Sequence, residues 1–391
     1  MSEPERPQGE LGARRAGRPA LAPGGPSDKR TQSRPLPPPV VRRFFSVPLI
    51  LAALPLLIAT FPLWVIAGLV TGPFLPGRQR PLRLLWFGVV WLAIEWAALA
   101  VLGWLWLRAG FGRRLGEPRW QAAHLRLLRW ILDRIYATAR RTFRLRIVGS
   151  GAGEPLPRDR PLLVLCRHAG PGDSVLLVRA LVSLAGLRPR IVLKDALQLD
   201  PTVDVLLNRL PNRFVTPRPG VAEDVESAIA ALARDAGPGD AVVIFPEGGN
   251  FSERRRVRAI ERLRSLGHAS EAAKAERMQH LMAPKPGGTL AAMAAAPDAD
   301  VLLVAHEGLE DLSTLGDLWT RLPMDDAVEA RWWHVPSAEL PRDRDVDGQV
   351  DWLFDWWGRL DDWVAERRVA SGHAPPWSGE VDHAPRTAVT R

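Results

Sequence analysis

From Phe44 to Gly77 the chain carries no charged side chain, and from Leu84 to Leu107 it carries only Glu95. As a helix with a rise of 1.5 Å per residue, the second run reaches about 36 Å, enough to cross a hydrocarbon layer. The expectation is two membrane-embedded segments over 44–107. Pro48, Pro55 and Pro62 recur every seven residues in the first run, so it is expected to be either a bent span or a re-entrant hairpin. Arginines before Phe44 and from Arg108 to Arg129 place both flanks on the cytoplasmic side. Arg78, Arg80 and Arg83 between the two runs oppose a full crossing and favour a shallow hairpin. Trp86, Trp91, Trp96, Trp104 and Trp106 suit interfacial depth. No secretory signal peptide is expected, because the apolar run begins too late and is too long.

Outside these runs the 391-residue chain divides by composition. Residues 1–43 hold nine prolines and nine Lys/Arg and almost no long apolar side chain before Val40. Such a segment cannot bury enough surface to offset its ordering entropy, so a disordered basic arm is expected. Residues 371–391 read as a loose tail. The one cysteine, Cys166, excludes an internal disulfide and any cysteine-based zinc site, leaving strand packing as its role. A net charge of +9 is compatible with nucleic acid, an anionic membrane or a phosphorylated substrate, and the apolar runs favour the membrane.

Residues 108–143 read as an interfacial helix and linker: Trp120 to Arg140 spaces apolar residues helically with basic residues between, which suits either a helix at the headgroups or one packed on the following domain. From 144 to 370 strand-like and helical runs alternate. Strands are expected at Arg144–Val148, Leu162–Cys166, Arg190–Lys194, Arg213–Thr216, Ala241–Phe245, Val301–Ala305 and Ala330–Val335. Helices are expected at Ser174–Ala185, Glu223–Ala236, Glu253–Leu266, Glu271–Leu281 and Gly288–Ala296. The fold class is therefore α/β, a mixed sheet flanked by helices and preceded by a membrane hairpin.

Two stretches carry chemistry. Arg167-His168-Ala169-Gly170-Pro171-Gly172-Asp173 follows an apolar strand run and sets a carboxylate five positions from a histidine. An imidazole can take a hydroxyl proton when a carboxylate fixes its tautomer and balances the cation that forms. His168 and Asp173 are the candidate base and orienter. The competing structural role makes Asp173 a helix cap and His168 a strand-end residue. The second stretch, Phe245-Pro246-Glu247-Gly248-Gly249-Asn250, also closes a strand run; its glycines can expose amides to an anion, and Glu247 can accept from a sugar or glycerol hydroxyl.

In this order and spacing the two stretches resemble the glycerophospholipid acyltransferase family, the lysophosphatidic acid acyltransferases. His168 and Asp173 match its histidine, four residues, aspartate motif; Phe245 to Gly248 match its Phe-Pro-Glu-Gly turn. Asn212-Arg213-Phe214-Val215-Thr216-Pro217-Arg218 is similar to its intermediate block, which makes Arg218 the carried-over phosphate ligand. The resemblance runs from about Arg144 to Arg368. Arg167, Gly170, Asn212, Gly249 and the pair Ala305-His306 depart from the family's usual residues. Arg167 is a further candidate contact to the acceptor phosphate.

The resemblance implies a membrane-bound enzyme with its catalytic domain at the cytoplasmic face, moving a fatty acyl group from acyl-CoA or an acyl-carrier protein to the free hydroxyl of lysophosphatidic acid. His168 and Asp173 would be catalytic, and Arg218, Glu247, Gly248 and Gly249 would bind substrate. Another lysophospholipid or a glycolipid is the alternative acceptor. No metal and no cofactor are expected: His268, His280 and His306 share no metal-ligand spacing. Nucleic acid is not an expected partner. The arginine-rich run Arg254–Arg264 suits a solvated face or an attraction for anionic lipid or coenzyme A phosphates, and the Trp-rich 352–364 stretch suits core packing.

Overall fold

The computed structural model describes residues 36–75, 79–151, 156–216, 222–310 and 315–372. Three long helices come first: α1 (Pro39–Thr71), α2 (Arg80–Arg108) and α3 (Pro118–Thr142). An α/β domain follows, in the order β1 (Ile147–Gly151), β2 (Leu162–Cys166), α4 (Pro171–Arg179), β3 (Arg188–Lys194), α5 (Pro201–Leu207), β4 (Arg213–Val215), α6 (Ala222–Arg234), β5 (Asp240–Ile244), α7 (Glu253–Ser265), α8 (Ala269–Arg277), α9 (Pro286–Ala295), β6 (Asp300–Glu307), α10 (Leu315–Arg321), β7 (Val328–Val335) and α11 (Val346–Ala370).

Among the described residues the strands form one mixed sheet of seven, ordered β1-β7-β6-β2-β5-β3-β4. Every neighbouring pair is parallel except β6 with β7, which is antiparallel. β2, β5 and β6 are buried at every residue, which is why their sequences are nearly unbroken apolar runs instead of alternating ones. Successive side chains of β2 leave opposite faces. Leu163 and Leu165 enter a core with Ile229 of α6, Met293 of α9 and Phe354 and Trp357 of α11. Leu162, Val164 and Cys166 enter a second core with Leu177 of α4 and Leu181 of the π-helical turn Ala180–Ala185.

α1 is one unbroken helix despite its three internal prolines. All three lie on its exposed side, away from α2. Proline has no N–H, so Pro55 frees the carbonyl four residues earlier. That carbonyl, on Leu51, accepts instead from the indole Nε1 of Trp96 on α2 at 3.1 Å. Gly68, the buried residue of α1, lets Leu82 of α2 approach: a Cβ there would lie 2.5 Å from Leu82 Cδ2.

α2 lies along the α/β domain and is fixed to it at both ends. Near its start, Arg80 donates to the carbonyls of Leu322 and Thr320, and Arg83 to that of Thr142. Near its end, Arg209 donates to the Leu102 carbonyl at 2.9 Å. Between them Ile94, Ala98 and Leu102 pack with Leu127, Leu128, Ile131 and Leu132 of α3 and Leu206 of α5. α3 is thus packed on the domain by its apolar face, while Arg126, Arg129, Trp130, Arg134, Arg140 and Arg141 point out. The outer sides of α1 and α2 expose large apolar residues, among them Phe44, Leu49, Leu63, Trp64, Trp86 and Trp104.

The last five residues of the basic arm expected over 1–43 are helical instead. α1 begins at Pro39, because Arg42 and Arg43 both pair with the buried carboxylate of Asp204 on α5, at 2.5 and 2.6 Å. Residues 1–35, and the tail from 373 to 391, lie outside the described residues. The sequence pattern also left α5 and α10 unassigned; each is seven residues long, too short for a helical period to register.

Removing one partner of a buried ion pair strands the other's charge. Asp204→Ala is therefore expected to cost about 3–5 kcal/mol and to release the start of α1, measurable as a lower urea midpoint in detergent and new tryptic cleavage at Arg42 or Arg43.

Candidate active site

His168 leaves the C-terminal end of β2, and Asp173 sits in the first turn of α4. Gly170, Pro171 and Gly172 make the turn between them, with Pro171 at a position where its missing N–H costs nothing. The turn folds Asp173 back on the chain: Oδ2 accepts the amides of Ala169 and Gly170 at 2.8 and 3.1 Å. Oδ1 accepts the Ser174 hydroxyl at 3.1 Å. His168 Nδ1 lies 3.1 and 2.9 Å from the two oxygens. A nitrogen so placed must carry the proton, which leaves the Nε2 lone pair free.

Exposure separates the two roles. The Asp173 side chain is fully buried, whereas 16% of the His168 side chain reaches the surface. Burial works to raise the Asp173 pKa, but the hydrogen bond and charge of His168 outweigh it and hold the group below the ordinary aspartate value. The helix N-terminus favours the same anion. The Phe245 ring lies against the imidazole, centroids 4.5 Å apart at 33°, and fixes its plane.

Glu247 occupies a different place from the one its sequence motif implies. The residue is buried, and its oxygens are taken by backbone amides: Oε1 by His168 at 2.9 Å and Oε2 by Met282 at 3.1 Å. It holds the histidine loop from within the interior, where a glycerol hydroxyl does not reach it. The grip is double, because the Phe251 amide donates to the His168 carbonyl at 2.8 Å. Burial pushes the Glu247 pKa up to about 7, against the opposing pull of Arg167 and the two amides.

Gly248 turns the chain with φ +69°, a left-handed conformation glycine adopts freely. Here two cations gather. A Cβ at Gly248 would lie 2.6 Å from Lys285 Nζ, and one at Gly249 would lie 2.9 Å from Arg255 Nη1. Arg255 also donates to the Asn250 carbonyl at 3.0 Å. Desolvation, then Arg262 and Arg255, lowers the Lys285 pKa. Lys285 has no place in the motif itself, since it reaches the turn from beyond α8. Arg218, the expected phosphate ligand, lies outside the described residues.

Arg167 points inward, which removes it as an acceptor contact. It is 1% exposed and donates to the carbonyls of His306 and His280 and to the carboxylate of Glu310. The His306 ring is also buried, with Nε2 3.7 Å from Asp173 Oδ2. Burial lowers its pKa to about 4, so this second imidazole is neutral beside the aspartate. Cys166 is buried in β2, and burial raises its thiol pKa well above the ordinary value.

The described geometry is that of an imidazole base with a fixed tautomer at the mouth of a cation-lined turn. Residues 150–305 match the family model described as Acyltransferase, and the segment includes His168, Asp173 and Glu247. That segment is similar to acyltransferase domains. Among solved structures, the 1-acyl-sn-glycerophosphate (LPA) acyltransferase PlsC from Thermotoga maritima is similar at 16% identity and a TM-score of 0.44, over 76% of this chain and all of that one. No curated protein gives a significant match to the chain.

A carboxyl whose pKa is higher folded than unfolded stabilises fully below its unfolded value and loses that contribution as pH rises through the folded one. For Glu247 the window runs from 4.5 to about 7. Glu247→Gln should flatten the pH dependence of unfolding across that window. It should also lower stability throughout by about 1–3 kcal/mol, because a carboxamide offers one oxygen to two buried amides. Urea titrations of both proteins at several pH values check this.

Proposed function

We propose that the protein transfers a fatty acyl group from an acyl thioester, carried by coenzyme A or a carrier protein, to the free hydroxyl of lysophosphatidic acid, giving phosphatidic acid. The observation that carries this reading is the His168–Asp173 pair: Nδ1 held by a buried carboxylate, Nε2 free, 16% of the side chain open. Nε2 takes the proton of the acceptor hydroxyl as that oxygen attacks the thioester carbonyl carbon. The tetrahedral intermediate then expels the thiolate, which recovers the proton from the imidazolium, so ester and free thiol leave and the enzyme is unchanged. Asp173 balances the imidazolium in between. General-base catalysis of this kind supplies about 10²–10⁴-fold, and holding both substrates in line supplies more.

No acyl-enzyme is needed. Cys166 is buried, and the Ser174 hydroxyl is committed to Asp173. Lys285 and Arg255, facing the turn that follows Glu247, suit a phosphate monoester at one end of the acceptor. That supports lysophosphatidic acid over an acceptor without a phosphate.

The hairpin fits the same reading. Its apolar sides face outward, yet both ends of α2 are tied to the α/β domain. Embedding α1 and the outer side of α2 in one leaflet buries those sides while keeping Arg80 and Arg83 on their carbonyl partners. The catalytic domain then rests on the cytoplasmic face, where the arginines flanking the hairpin are favoured.

His168→Ala should lower kcat by about 10²–10⁴-fold with little change in acceptor KM. Lys285→Met should do the reverse, raising KM for lysophosphatidic acid while leaving kcat nearly intact. Initial rates with radiolabelled acyl-CoA and purified, folded variants separate the two. Equal turnover by His168→Ala and wild type rejects the base assignment.

A further inference from the structure

α4 carries Asp173 at one end and Arg179 at the other, and Arg179 opens onto a cavity unrelated to the site above. The cavity has a volume of about 340 Å³ and lies where α3 crosses the end of α4 and the π-helical turn. Arg129, Arg140 and Arg179 line it, with Asp133, Tyr136 and Ser183. The Arg179 guanidinium lies 3.7 Å from the centre of the Tyr136 ring and 3.0 Å from Asp133, which locks it in place. Arg129 is 3.7 Å from the same carboxylate. Arg140 has no ion pair among the described residues. Three cations against one anion leave a surplus positive charge, and the buried Ser183 hydroxyl in the wall has no hydrogen-bond partner.

Position decides the source of the anion. The cavity opens on the outward side of α3, and α3 packs directly against α2, whose far side is apolar. Trp130 is exposed beside the cavity on the same helix, sharing a second hollow with Arg126, Arg129 and Arg134. Arginines on a helix packed against an apolar hairpin can hold an anionic headgroup while its acyl chains lie beside the hairpin. We propose that Arg129, Arg140 and Arg179 form a second lipid site, which takes the phosphate of an anionic bilayer phospholipid that is neither acceptor nor product. This site rests on the reading that the hairpin lies in one leaflet. Its occupant is a structural or regulatory lipid acting on α4.

The test uses the full-length protein in neutral detergent micelles doped with fluorescent phosphatidylglycerol or fluorescent phosphatidylcholine, read by anisotropy. Wild type should retain phosphatidylglycerol in preference to phosphatidylcholine. Arg129→Gln/Arg140→Gln should weaken that retention by about five-fold for each guanidinium removed. Arg119→Gln/Arg141→Gln, the same charge change on α3 outside the cavity, should weaken it far less. Arg140→Gln alone keeps the test available if the double variant does not fold. Equal losses in the two double variants would mean diffuse charge attraction and overturn the site, as would unchanged retention in Arg129→Gln/Arg140→Gln. Coenzyme A and inorganic phosphate are added as soluble competitors: displacement by either, with no preference for phosphatidylglycerol, assigns the cavity to a soluble phosphate and overturns the lipid assignment. Flotation with pure phosphatidylcholine vesicles examines the hairpin alone, so a failure there is distinguishable from a failure of the cavity.

Discussion

A buried carboxylate holds the site together. Glu247 binds the amide of His168 with one oxygen and that of Met282 with the other, joining the end of β2 to the chain that runs from α8 to α9. That second segment is itself held from behind: Asp361, buried on α11, accepts the amides of Gln279, His280 and Leu281 at 3.0, 2.7 and 2.8 Å. Arg167 adds the His280 and His306 carbonyls to the same framework. Each group would be costly to bury alone, and each finds backbone partners there, Arg167 also the carboxylate of Glu310. The outcome is a histidine whose backbone cannot drift, on which a single local turn then sets the tautomer.

The same economy accounts for two of the departures from the motif, Arg167 and His306. Arg167 brings a charge into the interior, and Glu310 meets it, its own pKa held down to about 2 by that guanidinium against burial. His306 then lies between Arg167 and Asp173, close to both and neutral. Arg167 and His306 thus form one buried cluster behind the catalytic pair.

Much of this was legible in sequence because it is local. The central strands are legible because β2, β5 and β6 are apolar runs bounded by glycine, proline or charge, whereas β1, expected at Arg144–Val148, runs three residues later. His168 and Asp173 are five residues apart, so one turn decides their geometry. What sequence concealed depends on distant pairs. Arg42 reads as part of a solvated arm until Asp204, 162 positions on, is seen to hold it. Arg80 and Arg83 read as charges opposed to a full crossing, and the carbonyls that hold them, of Thr320 and Thr142, are distant in sequence. Glu247 reads as a ligand-facing acid because a motif gives residue type and spacing, not which way the oxygens turn. Lys285 joins the turn only through the folding of the 278–285 segment.

The central claim is that Asp173 makes His168 a base by fixing the proton on Nδ1. Asp173→Asn tests it directly, since the amide keeps the shape and changes the proton pattern. Steady-state acyl transfer should fall by about 10⁴-fold in kcat, the scale seen when a triad aspartate becomes asparagine, with acceptor KM little altered and the fold intact by circular dichroism. A folded Asp173→Asn protein with kcat near wild type would contradict the account.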